Sequence, residues 1–369
     1  MNYNERYSIL NSHFIQGADF HIEETNIDVR FFGFNSKACC EENDVLPADN
    51  CIEENFSFEY PIFIPSGKSK HDEAILLLHG LNERSWNKYL PWAEYLCFHT
   101  GKPVILFPIA FHMNRSPLSW SNPHNLINLL NFRRERYDDD RSISFANVAL
   151  SERISENPER FYLSGRQTWA DLTSFFAEIK TGRHPLFKEA TQIDIFAYSI
   201  GAFLSQVALM TNQKGLYADS RLFMFCGGSI FRSMCGISRS IMDRAAFDRL
   251  QDYYIHQFAS EGLKRWNHDE AFKAFSGMIS PERMQQEREE IFTLMRKRIA
   301  GIALAKDLVI PYHGVEEAMG RENTEKNIQL LDFSFAYTHE NPFPFNLKDM
   351  TSVNRAFNII FSQAAAFLA

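Results

Sequence analysis

The sequence has few cysteines, no long apolar run and no excess of positive charge, and each absence narrows the possible functions. Its six cysteines include no Cys-x-x-Cys pair and no Cys/His cluster with zinc-ligand spacing, so no metal site is expected. Cys39 and Cys40 are adjacent, a poor geometry for a structural disulfide. We therefore expect reduced thiols and a cytoplasmic protein, with an exported mature form as the alternative.

The other absences concern membranes and nucleic acids. The first ten residues contain no basic segment followed by an apolar run, so no secretory signal is predicted. No apolar stretch reaches the roughly 18 residues that a membrane-spanning helix needs. The formal net charge is −8, which argues against nucleic acid or an anionic membrane surface as a partner. With 45% hydrophobic residues among 369, the chain is predicted to be soluble and globular with a sizeable core.

The pattern of apolar residues changes once along the chain. Residues 1–70 are predicted to be a β-rich extension of the sheet, with strands over Ile27–Phe34 and Phe56–Ile64. From Ala74 onward, short apolar runs typical of buried strands alternate with helical patterns. This alternation predicts an α/β fold with a mainly parallel sheet and helices on both faces. No repeat or linker interrupts the chain, so a single domain over 1–369 is expected.

The part from Ala74 onward contains predicted strands at Ala74–Leu78, Pro103–Phe111, Ile193–Ala197, Arg221–Cys226, Arg298–Ala305 and Ile328–Tyr337, and predicted helices at Trp86–Thr100, Arg166–Lys180, Ile200–Met210 and Asn354–Leu368. Two connections, 112–161 and 231–297, are too long for simple crossovers. We expect them to form a cap over the functional site, with peripheral structure as the alternative. In the second connection, Ser280-Pro281 predicts the start of a helix that runs to Lys297.

A serine lies where one predicted buried strand turns sharply into a helix. The segment Ala197–Gly201 (AYSIG) has a small residue two positions before and two positions after Ser199, where the backbones of such a turn crowd together. The turn would project the hydroxyl above the carboxyl edge of the sheet, so Ser199 is the candidate nucleophile. Ser229 also follows a strand, but Phe231 occupies a position that requires a small residue.

Together with the HG dipeptide at His79, this turn resembles the α/β-hydrolase superfamily over the chain from about Ala74 to its end. Ala197 departs from the pattern, since glycine is usual there. The resemblance implies an oxyanion hole formed by the backbone N–H groups of Leu81 and Ile200, which would stabilise the charge that develops on a carbonyl oxygen. For the His79 side chain, bracing this loop is the favoured role.

The resemblance also implies a catalytic triad in the chain order serine, acid, histidine. Asp307 follows one late strand and His339 ends the next predicted strand, and the segment between them accommodates one helix and one strand. Both can therefore reach the edge of the sheet at which Ser199 lies. We predict His339 as general base and Asp307 as the acid that orients it. His313 is the rival base, and Asp332 is the rival acid.

Candidates for substrate contact are His79, His112, Arg115 and Tyr198. Arg115 begins the first long connection and would anchor a carboxylate or phosphate, although an internal salt bridge is the favoured alternative. Tyr198 either packs beneath the nucleophile or borders the site. Trp120 and Trp169 are expected in the core, with a pocket wall as the alternative.

These residues predict a serine hydrolase that cleaves a small or medium acyl ester or thioester through an acyl-enzyme on Ser199. The expected partner is a small-molecule acyl substrate, and the chemistry requires no metal or organic cofactor. The same triad would serve a peptidase, an amidase or an acyltransferase that excludes water. A non-catalytic binding protein on the same fold is the alternative from another class. The oligomeric state does not follow from the sequence.

Overall fold

The computed structural model describes residues 1–37, 46–266, 268–345 and 349–369. Cys39 and Cys40, the adjacent pair in the sequence, lie outside the described residues. The cysteines within the described ranges are free thiols at Cys51, Cys97, Cys226 and Cys235.

A single sheet forms the centre of the structure. Its strands are β1 (Phe20–Ile22), β2 (Ile27–Asn35), β3 (Ser57–Pro65), β4 (His71–Leu78), β5 (Val104–Leu106), β6 (Phe187–Tyr198), β7 (Leu222–Phe225), β8 (Ile299–Leu304) and β9 (Ile328–Leu331). Their spatial order is β1-β2-β3-β5-β4-β6-β7-β8-β9. Three neighbouring pairs are antiparallel, namely β1 with β2, β2 with β3, and β3 with β5. The other five pairs in this order, from β5–β4 across to β8–β9, are parallel. The predicted mainly parallel sheet is confirmed.

Helices surround this sheet. In the described residues they are α1 (Tyr3–His13), α2 (Glu53–Phe56), α3 (Leu90–Thr100), α4 (Pro123–Arg136), α5 (Val148–Glu156), α6 (Glu159–Lys180), α7 (Ile200–Thr211), α8 (Arg244–Asp252), α9 (Phe258–Arg265), α10 (Glu270–Gly277), α11 (Gln285–Leu294), α12 (Tyr312–Met319), α13 (Arg321–Asn327) and α14 (Met350–Leu368). None of these helices is both long enough and apolar enough to cross a membrane.

Consecutive side chains of β4 enter two different cores, because successive residues of a strand point to opposite faces of the sheet. Leu76 and Leu78 pack into one core with side chains of α6 and α7. Ile75 and Leu77 pack into the other core with side chains of α1, α3 and α14. Burial on both faces explains why this strand is a continuous apolar run. Each such side chain contributes about 1.5–3 kcal/mol to folding.

Helix α1 lies in the region for which only strands were predicted. Tyr3, Arg6 and Leu10 are its buried residues, and the buried Arg6 binds Glu94 of α3 through nitrogen–oxygen distances of 2.9 and 2.6 Å. A helix with a charged residue on its buried face has a weak amphipathic pattern, which is why the sequence does not reveal it.

The predicted strand over Ile328–Tyr337 is wrong beyond Leu331. The neighbouring strand β8 ends at Leu304, whose partner in the ladder is Leu331, so no further backbone partner remains for this segment. The alternating aromatic residues that follow resemble a strand in sequence but pack against one another in a loop, where the rings of Phe333 and Phe335 stack 5.5 Å apart. His339 therefore lies in a loop and does not end a strand.

Other predicted boundaries also differ from the structure, and two of the differences have a local cause. The strand predicted over Pro103–Phe111 ends at Leu106, shortly before Pro108, which has no N–H for a ladder. The helix predicted to start at Ser280-Pro281 starts at Gln285, because a turn precedes it and Met284 has a positive φ of 49°.

The two long connections pack against each other. Arg133 of α4, in the first connection, binds both carboxylate oxygens of Asp243 at 2.8 Å, and Asp243 caps the N-terminus of α8 in the second connection. Both side chains are fully buried, and Arg133 also contacts Glu152 of α5. The bidentate pair joins α4 of the first connection to α8 of the second, and the contact with Glu152 adds α5.

Replacing Arg133 by methionine would leave the carboxylate of Asp243 buried without its cation. We expect Arg133→Met to lower the free energy of unfolding by about 3 kcal/mol, measured by urea denaturation with tryptophan fluorescence. The control is Arg134→Met, because this neighbouring residue is not fully buried. An equal effect of both substitutions would contradict the assigned role of the buried pair.

Candidate active site

Ser199 lies at the turn between β6 and α7 with an uncommon backbone conformation. Its φ is 56° and its ψ is −122°, a combination that costs a non-glycine residue about 1–3 kcal/mol. The Ser199 N–H donates to the carbonyl of Phe225 at 3.2 Å, which ties the turn to β7. This hydrogen bond holds the serine at the carboxyl edge of the sheet.

The turn requires a residue without a side chain at position 201. A Cβ on Gly201 would lie 2.8 Å from Leu78 Cβ and 2.9 Å from the carbonyl oxygens of Leu78 and His79. A second close approach, not predicted from the sequence, occurs at Gly227, where a Cβ would lie 2.4 Å from Ala202 Cβ. Both glycines allow β4, β7 and α7 to meet around the serine.

Ser199, His339 and Asp307 form a continuous hydrogen-bonded chain. Ser199 Oγ lies 2.7 Å from His339 Nε2, and His339 Nδ1 lies 2.8 Å from Asp307 Oδ2. Because the carboxylate is an acceptor, Nδ1 carries the proton and Nε2 is left to accept from the serine hydroxyl. The three residues are only 5, 4 and 4% exposed.

Backbone groups hold Asp307 in place. Its Oδ1 accepts hydrogen bonds from the N–H groups of Val309 and Ile310, both at 2.9 Å, while Oδ2 faces the histidine. These bonds fix the orientation of the carboxylate.

Tyr198 packs beneath the histidine, whereas the two positions considered for it from the sequence were beneath the nucleophile and at the border of the site. Its hydroxyl donates to the backbone carbonyl of His339, and the two rings lie nearly parallel at 16° with centroids 5.4 Å apart. Burial raises the pKa of Tyr198 well above its ordinary value, so the hydroxyl remains a donor. Tyr198 therefore orients the loop of His339 and does not face a cavity.

The alternative candidates for nucleophile, base and acid lie outside this hydrogen-bonded chain. Ser229 is completely buried, its hydroxyl donates to the carbonyl of Ile230, and it sits against Gly314. His313 is exposed on α12. Asp332 is exposed just beyond β9, where it pairs with Lys306 at 3.0 Å.

The loop that carries the predicted oxyanion donors follows β4. Leu81 and Ile200 both line the small cavity that Ser199 also lines. Within the described chain, neither backbone N–H donates to another backbone carbonyl outside regular helices and strands. Both residues thus line the cavity beside Ser199, and their N–H groups have no such backbone acceptor there.

Several side chains that sequence patterns did not reveal hold this loop. The Gly80 N–H donates to the Tyr89 hydroxyl at 3.0 Å, and that hydroxyl donates to Glu83 at 2.8 Å. Lys88 contacts Glu83 and also donates to the carbonyl of Glu340 at 3.2 Å. This network joins the loop after β4 to the loop of His339. Because long-range contacts form it, no local sequence pattern predicts it, although the polar residues just after the HG dipeptide indicate that this loop needs hydrogen-bond partners.

His79 braces its own loop. Its Nδ1–H donates to the Gly80 carbonyl at 2.8 Å, and its Nε2 accepts from the Ile109 N–H at 2.9 Å. Burial, followed by the nearby His112, lowers the pKa of His79 well below its ordinary value, so the ring is neutral. Since both nitrogens are occupied, the side chain has no polar atom left for a substrate.

Arg115 is bound entirely by groups inside the protein, which corrects its assignment as a substrate anchor. It is fully buried, pairs with Asp171 at 2.8 Å, and donates to the carbonyls of Asn55 and Pro108. These partners satisfy the guanidinium, so the internal salt bridge favoured from the sequence is the arrangement present.

Two cavities meet beside the serine, with Leu81, Ile200 and Phe161 in the walls of both. The larger has a volume of about 90 Å³ and the smaller about 40 Å³, so each holds more than one water. Trp120 and Trp169, which were expected in the core, are partly exposed and line the larger cavity. His112 lines it too, with Nδ1 bound to the Ala110 carbonyl at 2.9 Å.

The parallel sheet, the strand-to-helix turn at a serine and the surrounding helices define an α/β-hydrolase fold. A family model described as "Family of unknown function (DUF6051)" matches residues 1–51 and 38–369, and the chain belongs to this family. Among curated proteins, no sequence matches the chain.

Solved structures with a similar fold include several esterases. A thermostable esterase from Pseudomonas putida is 9% identical, with a TM-score of 0.50 over 100% of this chain and 91% of that one. The carboxylesterase EstE1 from a metagenomic library is 8% identical, with a TM-score of 0.47 over 100% and 95%. Carboxyl esterase 2 from Tuber melanosporum is 9% identical, with a TM-score of 0.43 over 99% and 97%. At such identities, the likeness to the Pseudomonas putida enzyme shows the fold alone.

The crowding at Gly201 predicts a specific loss of stability. We expect Gly201→Ala to lower the free energy of unfolding by about 1–3 kcal/mol, because its Cβ would press on backbone oxygens that cannot move away freely. The control is Gly165→Ala inside α6, where a Cβ would meet nothing within 4 Å. That substitution should be stabilising by about 0.5–1 kcal/mol. Urea denaturation of both variants measures these changes in the free energy of unfolding. A Gly201→Ala protein as stable as wild type would contradict the crowding.

The buried histidines predict a dependence of stability on pH. Burial lowers the pKa of His112 to about 4, while an unfolded chain restores a value near 6.5. Between these values the unfolded state binds more protons, so the free energy of unfolding falls with pH below about 6.5, by about 1.4 kcal/mol per unit for this histidine. We expect His112→Asn to reduce the slope measured by urea denaturation at pH 7, 6 and 5. Equal slopes for variant and wild type would refute this.

Proposed function

We propose that the protein is a serine hydrolase that cleaves a carboxylic ester or thioester through an acyl-enzyme on Ser199. The observation that carries this proposal is the buried hydrogen-bonded chain from Ser199 through His339 to Asp307, at a strained turn beside two cavities. A hydroxyl alone is a weak nucleophile, and the paired histidine and carboxylate are what activate it.

In the first half of the reaction, Ser199 Oγ attacks the carbonyl carbon while His339 Nε2 takes the hydroxyl proton. Asp307 keeps the proton on Nδ1 and stabilises the imidazolium that forms. The N–H groups of Leu81 and Ile200 would bind the oxyanion, an arrangement typically worth about 3–4 kcal/mol per donor. The intermediate collapses when the alkoxide or thiolate leaves and takes the proton from His339.

The second half repeats these steps with water. His339 removes a proton from the water as the oxygen attacks the acyl carbonyl, and then returns a proton to Ser199 as the acid leaves. No group outside this chain is needed for the proton balance.

The two long connections support a cap over the site. Residues from 112–161, including Trp120 and Arg153, line the larger cavity, and residues from 231–297, including Phe231 and Phe247, line the smaller one. Asn82 in the oxyanion loop donates to the carbonyls of Ala146 and Ser240, both at 2.8 Å, one in each connection. We infer that this cap encloses the acyl and leaving groups.

The test is covalent labelling by a fluorophosphonate, together with hydrolysis of 4-nitrophenyl esters of increasing acyl length. Wild type should label, and Ser199→Ala and His339→Ala should not. For a substrate that is cleaved, kcat in these variants should fall by about 10⁴-fold or more. The matched control is Ser229→Ala, which removes a buried serine hydroxyl outside the site and should label like wild type.

A folded wild-type protein that neither labels nor cleaves any ester would refute the proposal and favour a binding protein. Labelling that persists in Ser199→Ala would refute the nucleophile. Hydrolysis of anilides at a rate similar to that of esters would favour an amidase.

A further inference from the structure

The larger cavity combines an apolar wall with a cluster of positive charge. Most of its lining is apolar, and its charged lining residues are Glu83, Arg84, Arg153, Arg160 and Arg166. Four cations and one anion at the wall of a partly buried cavity are costly unless each charge has a partner.

Most of these charges are compensated within the protein. Glu83 contacts Lys88, and Arg166 pairs with Asp269 at 2.6 Å. Arg153 and Arg160 share a single carboxylate, that of Asp49, at 3.1 and 3.0 Å. Arg160 has a second carboxylate at Glu156, so Arg153 is the less compensated of the two.

Among the residues that the structure describes, the partners of Arg84 are neutral. It donates to the Ala146 carbonyl at 2.9 Å and to the Ser121 hydroxyl at 3.3 Å, and across the described ranges it forms no ion pair. Burial lowers its pKa from the ordinary value, which reflects a desolvated cation without a compensating anion. A guanidinium in this situation favours a carboxylate or phosphate over a hydrocarbon.

Arg84 and Arg153 approach the same place in the cavity. The guanidinium of Arg153 lies over the Trp120 ring at 4.1 Å, and Arg84 binds Ser121, the next residue in the chain. Both arginines also act electrostatically on His112, whose pKa they lower further after burial. The two cations therefore lie beside the same short segment, Trp120 and Ser121.

His112, which lines the same cavity, leaves one buried acceptor without a partner. Its Nδ1–H donates to the Ala110 carbonyl, so the neutral ring presents Nε2 as an acceptor, and this nitrogen has no hydrogen-bond partner in the part of the chain that the structure describes. An acceptor nitrogen takes a hydroxyl or a water and not the anionic oxygen itself, so the anion is assigned to the arginines alone.

The smaller cavity has the opposite character. Apart from Ser199 and Gly236, its lining is apolar, and it contains no charged side chain among the residues described: Phe231, Met234, Ile241, Met242, Phe247, Leu250, Val309 and Ile310 are among its walls. An ester bound at Ser199 would thus extend one arm into an apolar space and the other toward two arginines.

We propose that the substrate carries an anionic oxygen group, a carboxylate or a phosphate, which Arg84 and Arg153 bind in the larger cavity while an uncharged arm fills the smaller one. This inference rests on the proposed function for the ester, but the anion site itself does not require catalysis. Arg84 and Arg153 would then set specificity without taking part in the chemistry.

The kinetic test compares matched esters. On the acyl side, the mono-4-nitrophenyl ester of adipic acid is compared with 4-nitrophenyl hexanoate, and on the alcohol side the butyrate ester of 4-hydroxybutyrate is compared with butyl butyrate. We expect at least one carboxylate ester to exceed its neutral counterpart in kcat/KM by about tenfold or more. Arg84→Gln and Arg153→Gln should each reduce that ratio about tenfold, whereas Arg183→Gln, an exposed arginine outside the cavity lining, should preserve it. Preference for both neutral esters would overturn the inference.

A binding test separates this inference from the proposed function. Ser199→Ala protein is heated with hexanoate, hexyl phosphate or hexanol, and the shift in Tm is measured. We expect at least one of the two anions to raise Tm more than hexanol does. The anion that gives the larger shift in Tm identifies whether the site prefers a carboxylate or a phosphate. Adding Arg84→Gln should abolish the difference. Equal shifts from hexanol and both anions would overturn the anion site.

The combined outcomes are distinguishable. Anion binding that depends on Arg84, without cleavage of any ester by wild type, would refute the proposed function and leave the anion site standing. Ester cleavage without any preference for anions would refute the anion site and leave the proposed function standing.

Discussion

The backbone of Ser199 holds a conformation that an isolated serine would avoid, and the rest of the site is arranged around it. This conformation persists because β6 before it and α7 after it are both anchored in the core, which makes any relaxation of the turn more costly than the strain itself. The turn brings the start of α7 against the end of β4, where the absence of a Cβ on Gly201 leaves room for the carbonyl oxygens of Leu78 and His79. Ser199 and the loop after β4 are therefore positioned by one packing contact.

The partners of the serine come from the loops after β8 and β9, and these loops need support of their own. Backbone N–H groups fix Asp307, while Tyr198 and Lys88 hold the carbonyls of His339 and Glu340. The parallel sheet makes this convergence possible, because the carboxyl ends of its strands lie at one edge. Support by side chains from several elements keeps the histidine in place although its loop has no strand.

The sequence predicted much of this site, for identifiable reasons. Buried strands in a parallel sheet are continuous apolar runs, and the sharp turn requires small residues at fixed offsets, so β4, β6 and Ser199 stand out locally. Asp307 and His339 stand out by their order and by the strands before them. Arg115 was harder to assign, because the same arginine would bind a substrate or a buried carboxylate, and only the position of Asp171 decides between them. Trp120 and Trp169 were ambiguous in the same way, since a cavity wall and a core have the same apolar composition.

By itself, the sequence determined the class of fold and its mainly parallel sheet, because these follow from periodicity, and its resemblance to the α/β-hydrolase superfamily singled out Ser199, Asp307 and His339 as candidates. Tertiary structure alone decided which polar groups have partners. Arg84 lies only three residues after Leu81, yet the absence of a carboxylate partner among the described residues and the place that it shares with Arg153 beside Trp120 and Ser121 depend on contacts between segments far apart in the chain. Charge compensation is a property of three-dimensional neighbourhoods, so the character of the cavity could not be read from the order of residues.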